Sequence, residues 1–309
     1  MKGILVIAPL ILIIAIGMAI RATGFATAKG KEDFTRLLYW IVLPALLFRT
    51  TYLASGDISG QQNLFFSAYA AMFTLPLLAL LISVFFTHKG NKKNQAVSSM
   101  ASYRSNNVYL GLPVCVLALG EPGMRAASVY LAIALPGYNL ISIMWGEIVY
   151  SRGVTRKSLA GAAGRVIKNP LVTSSLLGLA AATAGIRVPD TLMVSMKLLA
   201  DMATGIALIS LGMSLEISSL LRAFRNTWHD AAIKLILHPA ITWIFLLLWP
   251  VPEIYFQVAV IIAAMPTAVN TFIIAGGMGL NEEYACELVA VTTVLAPIAI
   301  PIWLSLLGI

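Results

Sequence analysis

Two short runs concentrate the polar chemistry of an otherwise apolar chain: Arg104-Ser105-Asn106-Asn107, followed by Gly111-Leu112-Pro113, and Met265-Pro266-Thr267-Ala268-Val269-Asn270-Thr271. Gly and Pro interrupt the helical hydrogen-bond ladder, while Asn and Thr carry donors and acceptors that serve the groups so freed. Asn106, Asn107, Asn270 and Thr271 therefore suit either of two tasks, donating to the oxygens of an anion or holding a small cation through their own oxygens. Gly111, Pro266 and Thr267, which interrupt the helices, belong to the same candidate substrate-binding set. Singly, each interruption reads as an ordinary kink; two at corresponding places in a membrane chain read as a ligand site.

Further ionisable groups fall within apolar surroundings. Arg104 either draws an anion toward the first break or bonds carbonyls freed there. Lys197 and Asp201 are spaced i, i+4 and share one helix face, as a structural ion pair or a proton-coupling site. Lys234 and His238 have the same spacing. Lys234 stands near a helix end, from which it can snorkel to the interface, and His238 reads as a histidine bonded inside the bundle, with a pH-sensing role as the alternative. Glu282, Glu283 and Glu287 suit the start of a helix rather than a metal. Cys115 and Cys286 lie in apolar stretches and supply neither a disulfide framework nor a zinc cluster. With His88 and His229 near loops, no nucleophile and base pair or metal-ligand set is evident, so neither an enzyme nor a bound metal or cofactor is expected. Na+ or H+ remains the expected coupling ion, with uniport driven by the membrane potential as the third option.

The elements that must hold these residues are membrane helices. The chain of 309 residues is 59% hydrophobic and 11% charged, with mean hydropathy +0.88, whereas a soluble domain is about 25% charged. Apolar stretches run over residues 3–22, 35–54, 63–87, 95–119, 124–150, 169–186, 190–215, 230–250, 254–278 and 283–308, which predicts an all-α protein of ten transmembrane helices. The first stretch is longer than the apolar core of a signal peptide and is read as retained. No large extramembranous domain fits in what is left.

The net charge of +8 is a matter of loops, not of nucleic acid. Thirteen basic residues (Arg21, Lys29, Lys31, Lys89, Lys92, Lys93, Arg152, Arg156, Lys157, Arg165, Lys168, Arg222 and Arg225) occupy the odd-numbered connections, against Lys2, Arg125 and Arg187 on the other side. The positive-inside rule makes the odd connections cytoplasmic and puts both termini outside a multi-pass protein of the cell membrane. Residues 151–168, drawn as a short amphipathic cytoplasmic helix, separate a five-span half over 1–150 from another over 169–309. Five is odd, so the halves lie inverted, an arrangement of many secondary transporters. The breaks then fall in the fourth and ninth helices near mid-membrane. If they cross, the half-helix N-termini that follow bring partial positive charge to the centre, which suits a carboxylate.

These residues resemble the auxin efflux carrier family, which includes plant PIN-formed auxin carriers and bacterial malate and malonate carriers. Leu43-Pro44-Ala45-Leu46-Leu47-Phe48 is similar to its second-helix signature, Lys168-Asn169-Pro170-Leu171 to the sixth, Ala200-Asp201 with Thr204-Gly205-Ile206-Ala207 to the seventh, and the two breaks to its helix crossover. Ser105 stands where plant carriers have a proline, and their long central loop is absent. The resemblance implies a bile-acid-symporter-like fold, with helices 1, 2, 6 and 7 as scaffold and helices 3–5 and 8–10 as transport domain. It further implies elevator-type alternating access, a homodimer in the lipid bilayer, and a small organic anion such as malate, malonate or an auxin-like acid as substrate. A sodium-coupled bile-acid-type symporter and a non-transporting ligand sensor on the same fold are the alternatives.

Overall fold

Backbone polar groups cannot go unpaired in hydrocarbon, which leaves helices as the economical way for so apolar a chain to cross. The computed structural model describes residues 2–53, 60–150, 168–214 and 220–309. Its helices are α1 (Lys2–Ala22), α2 (Ala28–Leu37), α3 (Leu43–Leu53), α4 (Gln62–Ile82), α5 (Lys92–Ala101), α6 (Leu112–Tyr150), α7 (Pro170–Thr183), α8 (Asp190–Ser214), α9 (Leu220–Ala232), α10 (His238–Leu248), α11 (Glu253–Ala263), α12 (Asn270–Gly277) and α13 (Glu282–Leu306). Four single π-helical turns, Leu38–Val42, Ser83–Thr87, Asn107–Gly111 and Ile233–Leu237, precede or follow them. Among the described residues no strand forms.

Among the described residues five helical stretches are long and apolar enough to cross a membrane: Gln62–Thr87, Leu112–Tyr150, Asp190–Ser210, Leu221–Leu248 and Glu282–Leu306. Shorter apolar helices accompany them over Leu12–Ala22, Pro170–Thr183 and Glu253–Ala263. The chain is a multi-pass membrane protein. Most of the predicted connection over 151–168 lies outside the described residues.

Small residues decide how the helices meet. On α1 and α8, Gly17 and Gly212 sit against one another so closely that a Cβ on either would strike backbone of the other helix. Gly178 of α7 meets Phe48 and Thr51 of α3 in the same way. Such contacts let membrane helices gain dispersion energy where lipid offers no hydrophobic drive. A second set packs together through α4 with α5, α6 and α10, α6 with α11, and α9 with α13. Local signals set the element ends. Asn169 caps α7 by accepting from Leu171 N, with Pro170 at the first turn, and its amide donates to Tyr39 Oη. Asn281 caps α13 by accepting from Tyr284 N, with Glu282 and Glu283 in the first turn. Gly120, with φ 67° and ψ −151°, divides the 39-residue α6 at a conformation that favours glycine.

A candidate anion site where two broken helices pair

Between α5 and the π turn Asn107–Gly111, and again between α11 and α12, the chain leaves helical geometry at the two polar runs. The freed backbone groups find one another. Ser105 and Thr267 form an isolated antiparallel bridge, Asn106 N donates to Pro266 O at 2.9 Å and Ala268 N donates to Arg104 O at 2.9 Å. Each break is thus the other's hydrogen-bond partner, which answers the demand that buried backbone be satisfied. Thr292 of α13 accepts from Thr267 N at 3.1 Å, and Tyr138 of α6 donates to Ser105 O at 2.6 Å. Gly111 closes the π turn with its amide on Asn106 O and lies against Ile262 and Met265.

Arg104 is fully buried at the centre of this arrangement. Its Nε donates to Thr271 Oγ1 at 3.2 Å, Nη1 to Ser142 Oγ at 3.0 Å and Asn139 Oδ1 at 3.4 Å, and Nη2 to Asn270 Oδ1 at 2.9 Å. Its guanidinium carbon lies 4.9 Å from the centre of the Tyr138 ring. Every one of these partners is neutral, and among the described residues no carboxylate stands within ion-pair distance. The guanidinium holds the breaks together through side-chain oxygens of Thr271, Asn139, Ser142 and Asn270, not through the freed backbone carbonyls that the sequence suggested as its partners.

In front of the breaks lies a cleft of about 630 Å³, counting its open mouth. One wall is apolar, from Leu43, Leu46 and Leu47 of α3 and Ala203 and Ala207 of α8. The other carries Asn106, Asn107, Tyr138, Asn139 and Asn270. An apolar lining with a few converging polar groups is the usual form of a small-molecule site. Among the described residues no hydrogen bond is found to the side chains of Asn106 and Asn107, both of which line the cleft. Behind the breaks, Ser105, Asn107, Tyr138 and His238 face a second, smaller space.

The structure revises several expectations. Thr271 is fully buried and engaged with Arg104, so it supports the site and does not line the cleft. Thr267 takes part in the bridge, and its buried Oγ1 has no partner among the described residues. Lys234 does not snorkel. It is fully buried, and its Nζ donates to Ala263 O at 2.8 Å and Met265 O at 2.6 Å, the carbonyls at the end of α11. A cation there meets the negative pole of a half helix as well as two carbonyl acceptors, of which Ala263 O also accepts from Ser105 Oγ at 3.3 Å. His238 Nδ1 lies 3.2 Å from the same Nζ, so the i, i+4 relation is real. Lys197 and Asp201 form their pair at 2.6 Å, but with relative exposures of 54% and 57% it points out of the bundle, away from the cleft. Tyr138, Asn139 and Ser142 were not foreseen. Their signal was present as polar residues clustered within one turn of the fifth apolar stretch. Nor was the gathering of His88, His229 and Asp230, whose ligand atoms lie within 4.8 Å of one another.

A family profile described as "Membrane transport protein" matches residues 150–304. The chain belongs to this family of membrane transporters. It is the family to which the auxin-carrier resemblance pointed. The transporter is 25% identical over 284 residues to a Rhizobium meliloti (strain 1021) protein named "Putative malonate transporter", with 88% of each chain covered. It is 22% identical over 301 residues to an "Uncharacterized transporter" of Methanothermobacter thermautotrophicus, covering 95% of this chain and 94% of the relative.

Proposed function

We propose that this transporter carries small organic anions, dicarboxylates of the malonate and malate kind first among them, through the cleft at the paired breaks. The observation that carries the reading is Arg104, a buried cation with neutral partners only, one side-chain layer behind the cleft wall. A buried charge costs several kcal/mol unless compensated, and a carboxylate arriving in the cleft supplies that compensation. Asn106 and Asn107 donate to its oxygens, and the Asn270 amide nitrogen completes the set while its oxygen stays on Arg104.

In this reading the ten spans form two inverted halves. The group containing α4 to α6 and α9 to α13 moves with its ligand against α1, α3, α7 and α8, as in an elevator. The apolar wall of the cleft from α3 and α8 supports that division, because a smooth leucine and alanine face is a suitable sliding surface. The carrier works as a homodimer in the cell membrane with both termini outside, and Na+ or H+ drives it.

The test is uptake and counterflow of labelled malonate, malate and indole-3-acetate in proteoliposomes, with and without a sodium gradient and at two pH values, beside Asn107→Ala. Saturable malonate or malate flux that disappears in the variant supports the reading. Flux unchanged in Asn107→Ala overturns the site, and absence of flux for all three acids overturns the substrate class.

A further inference from the structure

Away from the cleft, four polar atoms converge at the end of the bundle that carries Lys89, Lys92 and Lys93. His88 follows the π turn Ser83–Thr87, His229 and Asp230 belong to α9, and Tyr284 to the first turn of α13. His88 Nε2 lies 3.2 Å from His229 Nε2, 3.3 Å from Asp230 Oδ2 and 2.9 Å from Tyr284 Oη. Tyr284 Oη lies 2.6 Å from Asp230 Oδ2 and 3.5 Å from His229 Nε2. A neutral imidazole has one N–H and the phenol hydrogen is directed at Asp230, so His88 Nε2 donates to only one of its three close neighbours at a time.

We propose that His88, His229 and Asp230 form a binding site for a zinc-class divalent transition-metal ion. Tetrahedral zinc holds imidazole nitrogen and carboxylate oxygen at about 2.0–2.2 Å, which places neighbouring ligand atoms about 3.3 Å apart. The separations of 3.2 Å and 3.3 Å between His88 Nε2 and its two partners match that edge, while the three ligand atoms together lie within 4.8 Å of one another, so the ion draws His229 and Asp230 closer as it binds. Two imidazoles and one carboxylate select a borderline transition ion over calcium or magnesium, which prefer oxygen throughout. The outer shell is in place as well: Ser98 Oγ of α5 donates to Asp230 Oδ1 at 2.7 Å, which turns Oδ2 toward the histidines. His88 and Asp230 are buried and His229 is half-buried, so the site has an approach from one side. Tyr284 either completes the coordination or yields the fourth position to water. The ion would clamp the end of α4 to α9 and α13.

The experiment uses the purified full-length protein in detergent and titrates it with Co2+ alone, then with Zn2+ as competitor. Expected are the visible absorption of tetrahedral cobalt at one equivalent per chain, its loss on addition of zinc, and an affinity weakened about tenfold or more in His229→Gln. His229→Cys, made in a Cys115→Ser and Cys286→Ser background, is the second variant: with its single thiolate as ligand it retains the ion and gains a sulfur-to-cobalt charge-transfer band, which then reports on position 229 alone. No stoichiometric cobalt spectrum in the native protein overturns the proposal. So does an affinity unchanged in His229→Gln together with no charge-transfer band in His229→Cys. None of these readouts involves flux, so the site stands or falls apart from the transport reading.

Discussion

The side-chain oxygen of Asn270 lies 2.9 Å from Nη2 of Arg104, so the cation of the first broken helix is fastened to the opening residue of the second half helix, α12. Arg104→Lys keeps the charge but cannot reproduce a planar fork reaching Thr271, Ser142, Asn139 and Asn270 at once. Hydrogen bonds to charged groups contribute about 1.5–3 kcal/mol each. The lysine variant is therefore expected to lose at least about 2 kcal/mol of stability, read by denaturant or thermal unfolding in detergent. Counterflow should fall by about tenfold or more, since 1.4 kcal/mol of lost anion binding already corresponds to tenfold. Native-like melting and flux would show that charge alone matters there.

Asn107 lines the cleft, and among the described residues no hydrogen bond is found to its side-chain amide, so the proposed site predicts an effect on binding rather than on folding. Asn107→Asp is nearly isosteric and sets a carboxylate against an anionic ligand. Malonate affinity should drop about tenfold or more through like-charge repulsion, with the melting temperature little changed. Scintillation proximity binding on the purified variant measures it, and native affinity would remove Asn107 from the site.

Lys234 has a different task. Its ammonium caps two carbonyls at the end of α11, so Lys234→Met leaves Met265 O without that donor and Ala263 O with Ser105 Oγ alone. An unmet buried acceptor costs about 1–3 kcal/mol, and the expected destabilisation is of that size. Loss of the second break's geometry should follow, visible as faster backbone hydrogen exchange around residues 264–268. A variant as stable as the native chain would show that the cap is dispensable.

Lys197 and Asp201, by contrast, should be idle in transport. They satisfy each other on the outer face of α8, so the double exchange Lys197→Gln with Asp201→Asn removes both charges without leaving one alone. Flux and its pH dependence are expected to stay within about twofold, because a pair this exposed contributes about 0–1 kcal/mol. A flattened pH profile in the double variant would instead place the proton-coupling group there.

Much of this molecule was legible in its sequence because the lipid constraint is so strict. Apolar stretches long enough to span had to be helices, and the polar runs at Arg104 to Asn107 and Pro266 to Thr271 had to be answered by buried partners. What could not be read was which partner answers which group. Lys234 looked able to reach the interface because sequence position gives depth along a helix but not rotation about it; rotation turned it inward onto Ala263 and Met265. The same ambiguity hid the outward aim of Asp201, since one turn of helix serves either face. Asn139 and Ser142 were present as polar residues of the fifth stretch, yet their acceptance of Arg104 depends on a tertiary contact with no local signature. His88 and His229 lie 141 positions apart with no ligand spacing between them.

The antiparallel pairing of Ser105 with Thr267 also has a consequence for how the protein is made. About 160 residues separate the two segments, and a ribosome adding roughly 5–20 residues per second needs on the order of 10–30 s to span them. During that interval the first break is without the segment that will satisfy it, and Arg104 lacks Asn270 and Thr271. The hydrogen bonding of the first break is therefore completed only when the second half has been made.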